Sequence, residues 1–192
     1  MFTSAKLPLG GGDYLEFGVF KGSTFAEAYR IAKAKKLHNM RFFAFDSFEG
    51  LPQDSEKESG QFVKGEYSAS LNQFNSNLEK VGVDLKDVQA VKGWFKDTLN
   101  TETKKKLGLK SAAVVWIDCD LYESTVPVLD FIYDLLVDGT ILVFDDWYFF
   151  KGHPERGEQK ALKEWLAKHP ELRVSEFHKY FWHGNSFIVH KG

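Results

Sequence analysis

Two acidic clusters carry the strongest chemical signal in the chain. Ile117-Asp118-Cys119-Asp120-Leu121-Tyr122-Glu123 and Phe144-Asp145-Asp146-Trp147 each close an apolar run. If those runs are neighbouring parallel strands, their ends lie about 5 Å apart and the carboxylates converge. Like charges that close repel unless a cation offsets them, and hard oxygen ligands with open positions suit Mg2+ or Mn2+. Asp118, Asp120, Asp145 and Asp146 are the four clustered carboxylates such an ion would meet. One geometric condition applies: successive strand side chains face opposite ways, so Asp145 and Asp146 share an ion only where the strand has already ended. Solvated aspartates capping the following turns are the plain alternative.

A second signal is Glu16-Phe-Gly18-Val-Phe20-Lys-Gly22-Ser23-Thr24. Glycine lets backbone approach a ligand, and a helix start presents unpaired N–H groups. The dinucleotide fingerprint would need glycine where Phe20 and Ser23 stand, and the phosphate loop would need Gly-Lys-Ser rather than Lys21-Gly22-Ser23; both fail. Asp46 closes the next apolar run, at the distance from the glycine turn where a carboxylate accepts from ribose hydroxyls. Together they point to a nucleoside-bearing cofactor. Trp94 or Phe95 offers a face for an adenine, or simply packs on the sheet.

Trp147-Tyr-Phe-Phe150 continues from the second acidic cluster, with His153 just beyond. These aromatics wall a pocket, meet a partner subunit, or fold into the core; sequence does not separate these readings. His183 reads as an edge-strand residue, and Cys119 as packing. The Lys33–Lys36 and Lys104–Lys106 runs read as solvated helix ends.

The elements that position these groups follow from periodicity. Apolar runs at 14–19, 41–46, 88–91, 112–117 and 140–144 read as strands. Between them lie helical stripes through Phe25, Tyr29 and Ala32, through Leu71, Phe74 and Leu78, and through Val126, Leu129 and Tyr133. Thr24 to Glu27 fits a capping box, Asp97 can cap a weaker helix running to Lys104–Lys106, and Asp138-Gly139 fits a helix stop. Residues 47–66 read as a long loop, and a helix spans 160–168. Two late runs, 174–181 and 186–190, have no helix between them and should pair as an antiparallel hairpin. The expected fold is therefore α/β, Rossmann-like and doubly wound, with a seven-stranded, mostly parallel sheet and an antiparallel C-terminal hairpin. Its ligands belong beyond the carboxyl ends of the strands.

Composition sets the outer bounds. The chain has 192 residues and a net charge of -2, which suits one domain and gives no electrostatic footprint for nucleic acid. Its single cysteine excludes a disulfide framework or a cysteine-rich zinc site. No apolar run approaches the roughly 18 to 20 residues of a membrane span, so a cytoplasmic protein is expected.

Taken in order, Tyr14-Leu-Glu-Phe-Gly-Val-Phe-Lys-Gly-Ser-Thr24, Phe45-Asp-Ser-Phe-Glu-Gly-Leu-Pro52, Ile117-Asp-Cys-Asp-Leu-Tyr-Glu-Ser-Thr125 and Phe144-Asp-Asp-Trp147 resemble the macrocin O-methyltransferase family. That family belongs to the class I S-adenosylmethionine-dependent methyltransferases, and catechol O-methyltransferase is similar at a greater distance. The resemblance runs from about Tyr14 to Glu164. It implies one methyltransferase domain over 1–192, with a short extension at 1–13 in place of the helical segment that covers the substrate in relatives. Cys119 and Trp147 also depart from the family pattern.

By the same resemblance, Glu16, Gly18 and Gly22, with Phe20 and Ser23 of their loop, line the methionine part of the cofactor. Asp46 holds the ribose, Ser47, Trp94 and Phe95 lie near adenine, and Asp118 borders the cofactor. Asp118, Asp145 and Asp146 bind Mg2+ (or Mn2+), and Asp118 or Asp120 takes the proton. The expected reaction is O-methylation of a hydroxyl on a sugar, glycoside or related small molecule, with a homo-oligomer left open. A metal-dependent glycosyltransferase built on Asp118-Cys-Asp120, and a non-catalytic binding module, are the alternatives.

Overall fold

The computed structural model describes residues 12–52 and 63–191. The expected 1–13 extension and the middle of the 47–66 loop fall largely outside these residues. Seven strands form one sheet in the order β3-β2-β1-β4-β5-β7-β6. They are β1 (Asp13–Phe17), β2 (Phe42–Asp46), β3 (Val88–Lys92), β4 (Ala112–Ile117), β5 (Leu136–Phe144), β6 (Leu172–Tyr180) and β7 (Gly184–Lys191). The first five pair in parallel, and β7 runs antiparallel to both β5 and β6. The expected seven-stranded fold and C-terminal hairpin are both present.

Apolar side chains on both faces of the strands explain why the sheet is covered twice. On β1, Leu15 and Phe17 join one core while Tyr14 joins the other. Helices α1 (Ser23–Ala34) and α2 (Leu71–Lys80) seal the Tyr14 face through Phe25, Tyr29, Phe74 and Leu78. On the Phe17 face, α5 (Tyr122–Ile132) and α6 (Gly157–Lys168) contribute Val128, Leu129, Leu162 and Trp165. The short α3 (Phe95–Thr98) and α4 (Thr101–Leu107) pack Phe95, Leu99 and Leu107 beside them. Phe17 and Phe45 stack at 4.7 Å, a contact worth about 0.5–1.5 kcal/mol beyond area burial.

Three local expectations are corrected. Gly22, at φ 84, precedes α1 and no side chain caps that helix, so the Thr24 capping box does not form. Asn100, not Asp97, accepts the Thr103 N–H at the start of α4. The helix ends before Asp138-Gly139, and Gly139 instead lies inside β5, where its φ of 88 accompanies a register shift against β4. The lysine runs are tied down more than expected: Lys33 pairs with Asp87 at 2.7 Å, and Lys104 pairs with Asp134.

The strand register fixes where the candidate site residues emerge. Phe17 pairs with both Phe45 and Ile117, and Ile117 pairs with Phe144. The next residues, Gly18, Asp46, Asp118 and Asp145, therefore stand at one level, Asp46 as the last residue of β2 and the others just beyond their strands. Strand order reverses between β1 and β4, so this row sits at the topological switch point. Gly18 is the tightest crossing. Its φ is +83, and a Cβ there would lie 1.8 Å from the Asp118 carbonyl oxygen. Gly18→Ala is expected to destabilise the protein by about 3 kcal/mol or more. Thermal unfolding checks this, and an unchanged Tm would contradict so close a crossing.

Candidate active site

A cleft of about 1600 Å3 opens over this row of strand ends. Gly18, Phe20, Asp46, Ser47, Trp94 and Phe95, from the ends of β1 to β3, line it together with Asp118, Asp120, Asp145 and Asp146, from the ends of β4 and β5. Of the sequence-derived site residues, Glu16, Gly22 and Ser23 do not reach the cleft wall.

Asp46 has a function that sequence did not suggest. Its Oδ2 accepts the N–H groups of Val19 at 2.8 Å and Phe20 at 3.1 Å, and its Oδ1 accepts that of Phe48 at 2.6 Å. The carboxylate thus clamps the glycine turn to the end of β2. An ionised carboxylate has about four acceptor positions, so one stays available to a ligand. Glu16 lies beneath the turn, fully buried, and accepts from the Tyr14 hydroxyl. Burial, with Asp145 and Asp46 nearby, pushes its pKa up to about 8 despite that bond.

The acidic groups meet as the geometric condition requires. β5 ends at Phe144, so Asp145 and Asp146 have left the alternating pleat. Single carboxylate oxygens of Asp118, Asp145 and Asp146 all lie within 4.8 Å of one another. Asp120 sits in a left-handed conformation, φ 60, and its N–H donates to Asp146 Oδ2 at 3.0 Å. Burial is the main cause raising all four pKa values, and the other carboxylates add to it for Asp118, Asp120 and Asp146. Asp120 reaches about 7. The His183 ring, 3.6 Å from Asp145 Oδ2, offsets part of the crowding at Asp145, and a hard divalent ion fits the oxygen donor set of Asp118, Asp145 and Asp146.

Three supporting residues were missed, all from the C-terminal third. Glu158, in the first turn of α6, is 1% exposed and its Oε2 accepts the Asp146 N–H at 3.1 Å. Its other oxygen has no partner, and burial followed by the nearby aspartates holds its pKa well up. Tyr180 places its hydroxyl 3.0 Å from the Phe144 carbonyl and 3.1 Å from Asp145 Oδ1. His183 is not an edge-strand residue as expected but lies on the cleft wall, its Nδ1 2.6 Å from the Asp145 carbonyl. A carbonyl only accepts, so Nδ1 carries the proton there. No local sequence signal marked any of the three as a site residue, and a register shift between Glu176 and His178 puts Tyr180 on the sheet face opposite Leu172 and Val174.

The aromatic turn divides its side chains. Trp147 packs on Phe144 and Phe187, whereas Phe149 lines the cleft and stacks on Trp182. His153 Nδ1 accepts the Glu155 N–H in a local turn and does not line the cleft. Cys119 is buried 3.6 Å from the Thr125 hydroxyl, in the packing position expected.

This sheet order, with a glycine turn after β1 and acids at the ends of β2, β4 and β5, defines a Rossmann-like methyltransferase fold. The sequence profile of the Macrocin-O-methyltransferase (TylF) family matches residues 8–167, and the chain belongs to that family. It is 32% identical over 143 residues to the 8-demethyl-8-(2,3-dimethoxy-alpha-L-rhamnosyl)-tetracenomycin-C 4'-O-methyltransferase of Streptomyces olivaceus, covering 71% of this chain and 53% of that protein. It is 31% identical over 145 residues to the mycinamicin III 3''-O-methyltransferase of Micromonospora griseorubida, covering 71% and 55%. The chain thus spans about half the length of the curated relatives it matches. Among solved structures, the O-methyltransferase NovP superposes with a TM-score of 0.77 at 24% identity, over 92% of this chain and 71% of that one. The Bacillus cereus O-methyltransferase in complex with SAH gives 0.62 at 15% identity, over 96% and 76%. No helix among the described residues is long and apolar enough to cross a membrane.

The raised carboxyls make stability pH-dependent. Glu16 rises from 4.5 to about 8 and Asp120 from 3.8 to about 7, so the folded state binds protons more tightly than the unfolded chain. That contribution is complete below about pH 4 and is lost as pH rises toward 8. In chelator, Tm should fall between pH 5 and 8. Added Mg2+ should restore it at pH 8 and leave it unchanged at pH 5; a Tm insensitive to pH and metal would contradict the electrostatics.

Proposed function

We propose that the chain is an S-adenosylmethionine-dependent, Mg2+-assisted O-methyltransferase whose acceptor is a hydroxyl of a sugar-containing small molecule. The observation that carries this is the meeting of Asp118, Asp145 and Asp146 within 4.8 Å, beside the Gly18 turn and at the switch point of the sheet. The Streptomyces relative, a 4'-O-methyltransferase of a rhamnosyl-tetracenomycin, and the Micromonospora relative, a 3''-O-methyltransferase of mycinamicin III, support the choice of acceptor. A single buried cysteine agrees with a reducing, cytoplasmic setting.

The division of the cleft suggests how its residues act. The Gly18–Gly22 turn and Asp46 form the cofactor side, with Asp46 holding the turn and keeping one acceptor position for a ribose hydroxyl. Trp94 and Phe95 border the same part of the cleft and supply faces for adenine. Glu16, Gly22 and Ser23 then act by shaping the turn from beneath. S-adenosylmethionine brings the chemistry of an electrophilic methyl group on a sulfonium. Asp118, Asp145 and Asp146 would hold Mg2+, which lowers the pKa of an acceptor hydroxyl and fixes its position.

Tyr180, His183 and Glu158 keep Asp145 and Asp146 aimed at the cleft through their hydrogen bonds to these two residues. Asp118 or Asp120 takes the acceptor proton, and the Asp120 pKa of about 7 suits a general base at neutral pH. Packing of the surrounding core keeps these groups fixed, which supplies the orientation part of the rate enhancement. The glycosyltransferase alternative requires Asp118 and Asp120 as the metal-binding pair. The carboxylates that meet are instead those of Asp118, Asp145 and Asp146.

Asp145→Asn is expected to lower kcat by about 100-fold or more while changing S-adenosylhomocysteine affinity less than about threefold. Steady-state kinetics beside calorimetry checks both. Full activity of this variant, or of the unmodified protein in excess chelator, would contradict metal assistance.

A further inference from the structure

The turn joining β6 to β7 exposes two large aromatic rings at the edge of the cleft. Phe181 is 87% exposed and Trp182 is 73% exposed. Exposed apolar rings concentrated beside a cleft with a cluster of aspartates in its wall point to a binding role. Trp182 is also held in place. Phe149 stacks on it with centroids 5.6 Å apart and planes 28° apart, and the His183 ring meets it nearly edge-on at 5.0 Å. His183 in turn is braced by the Phe181 ring, parallel to it at 5.7 Å, and by the Asp145 carbonyl. Trp182 is therefore a fixed indole with one face backed by Phe149 and most of its surface open, two contacts from the Asp145 carboxylate.

Such a surface selects for a particular ligand chemistry. The acidic floor presents Asp118, Asp120, Asp145 and Asp146, all hydrogen-bond acceptors when ionised. A phenol or catechol offers one or two hydroxyls to such a floor. A pyranose offers several along its edge, and on its flat side a patch of C–H groups that packs on an aromatic face. An apolar platform beside an acceptor-rich floor is what a saturated, polyhydroxylated ring requires.

We propose that Trp182, backed by Phe149, is the stacking platform for the acceptor's pyranose ring and the residue that determines selection of a sugar over a phenol. The proposal rests on the sugar-methylating function and deepens it: the ring lies with its C–H face on the indole and its hydroxyl edge toward Asp145 and Asp118.

Saturation-transfer NMR with methyl gluco-, galacto-, rhamno- and xylopyranosides tests this, with and without S-adenosylhomocysteine and with catechol as the comparison ligand. At least one pyranoside should bind the unmodified protein through its ring C–H protons. Trp182→Ala should weaken that binding about tenfold, Trp182→Phe should retain it within about threefold, and S-adenosylhomocysteine affinity should hold in both. Catechol should bind more weakly than the pyranoside. The proposal is overturned if no pyranoside binds, if Trp182→Ala binds like the unmodified protein, or if catechol binds as well with the same dependence on Trp182. Failure of S-adenosylhomocysteine to bind would instead remove the methyltransferase reading, and the sugar arms run without it still decide the role of Trp182.

Discussion

Carboxylates gathered at the rim of a parallel sheet repel one another, and the repulsion grows as burial removes the water that would screen it. Every other feature of the acidic region responds to that constraint. The register brings Asp118 and Asp145 out of adjacent strands at one level, and the end of β5 at Phe144 lets Asp146 turn toward them. The Asp120 backbone N–H holds the Asp146 side chain and the Tyr180 hydroxyl that of Asp145, and the Glu158 carboxyl pins the backbone of Asp146. No lysine or arginine bonds to Asp118, Asp145 or Asp146 among the described residues. Such an arrangement is most stable when its charge is offset, by protons at low pH or by a divalent ion near neutrality.

The opposite end of the same row obeys a steric constraint rather than an electrostatic one. Gly18 passes so close to the Asp118 carbonyl that a side chain has no room. Asp46 then fastens the turn through the N–H groups of Val19 and Phe20. One row of strand ends thereby holds a backbone-lined half and a carboxylate-lined half side by side. That adjacency is what a group transfer between a nucleoside-bearing donor and a hydroxyl acceptor needs.

Much of this was legible in the sequence because buried parallel strands are continuous apolar runs and the chemistry sits immediately after them. Asp46, Asp118, Asp145 and Asp146 announce themselves as the first polar residues beyond such runs. The supporting groups do not. Glu158 precedes the part of α6 with clear periodicity, and Tyr180 and His183 arrive through an antiparallel hairpin that pairs with β5 from the far end of the chain. Gly139 misled for a related reason: a glycine at positive φ stops a helix or bends a strand, and only pairing against β4 tells which. Trp182 was silent because exposure, not residue type, gives it significance.

The most direct measurement is calorimetric titration of Mg2+ into the protein at pH 6.5, repeated in two buffers that differ in ionisation enthalpy. Saturable binding whose heat changes with the buffer, showing protons leaving the aspartates as the ion enters, is the outcome predicted by the electrostatic account. Absence of binding, or binding with no proton release, would contradict it.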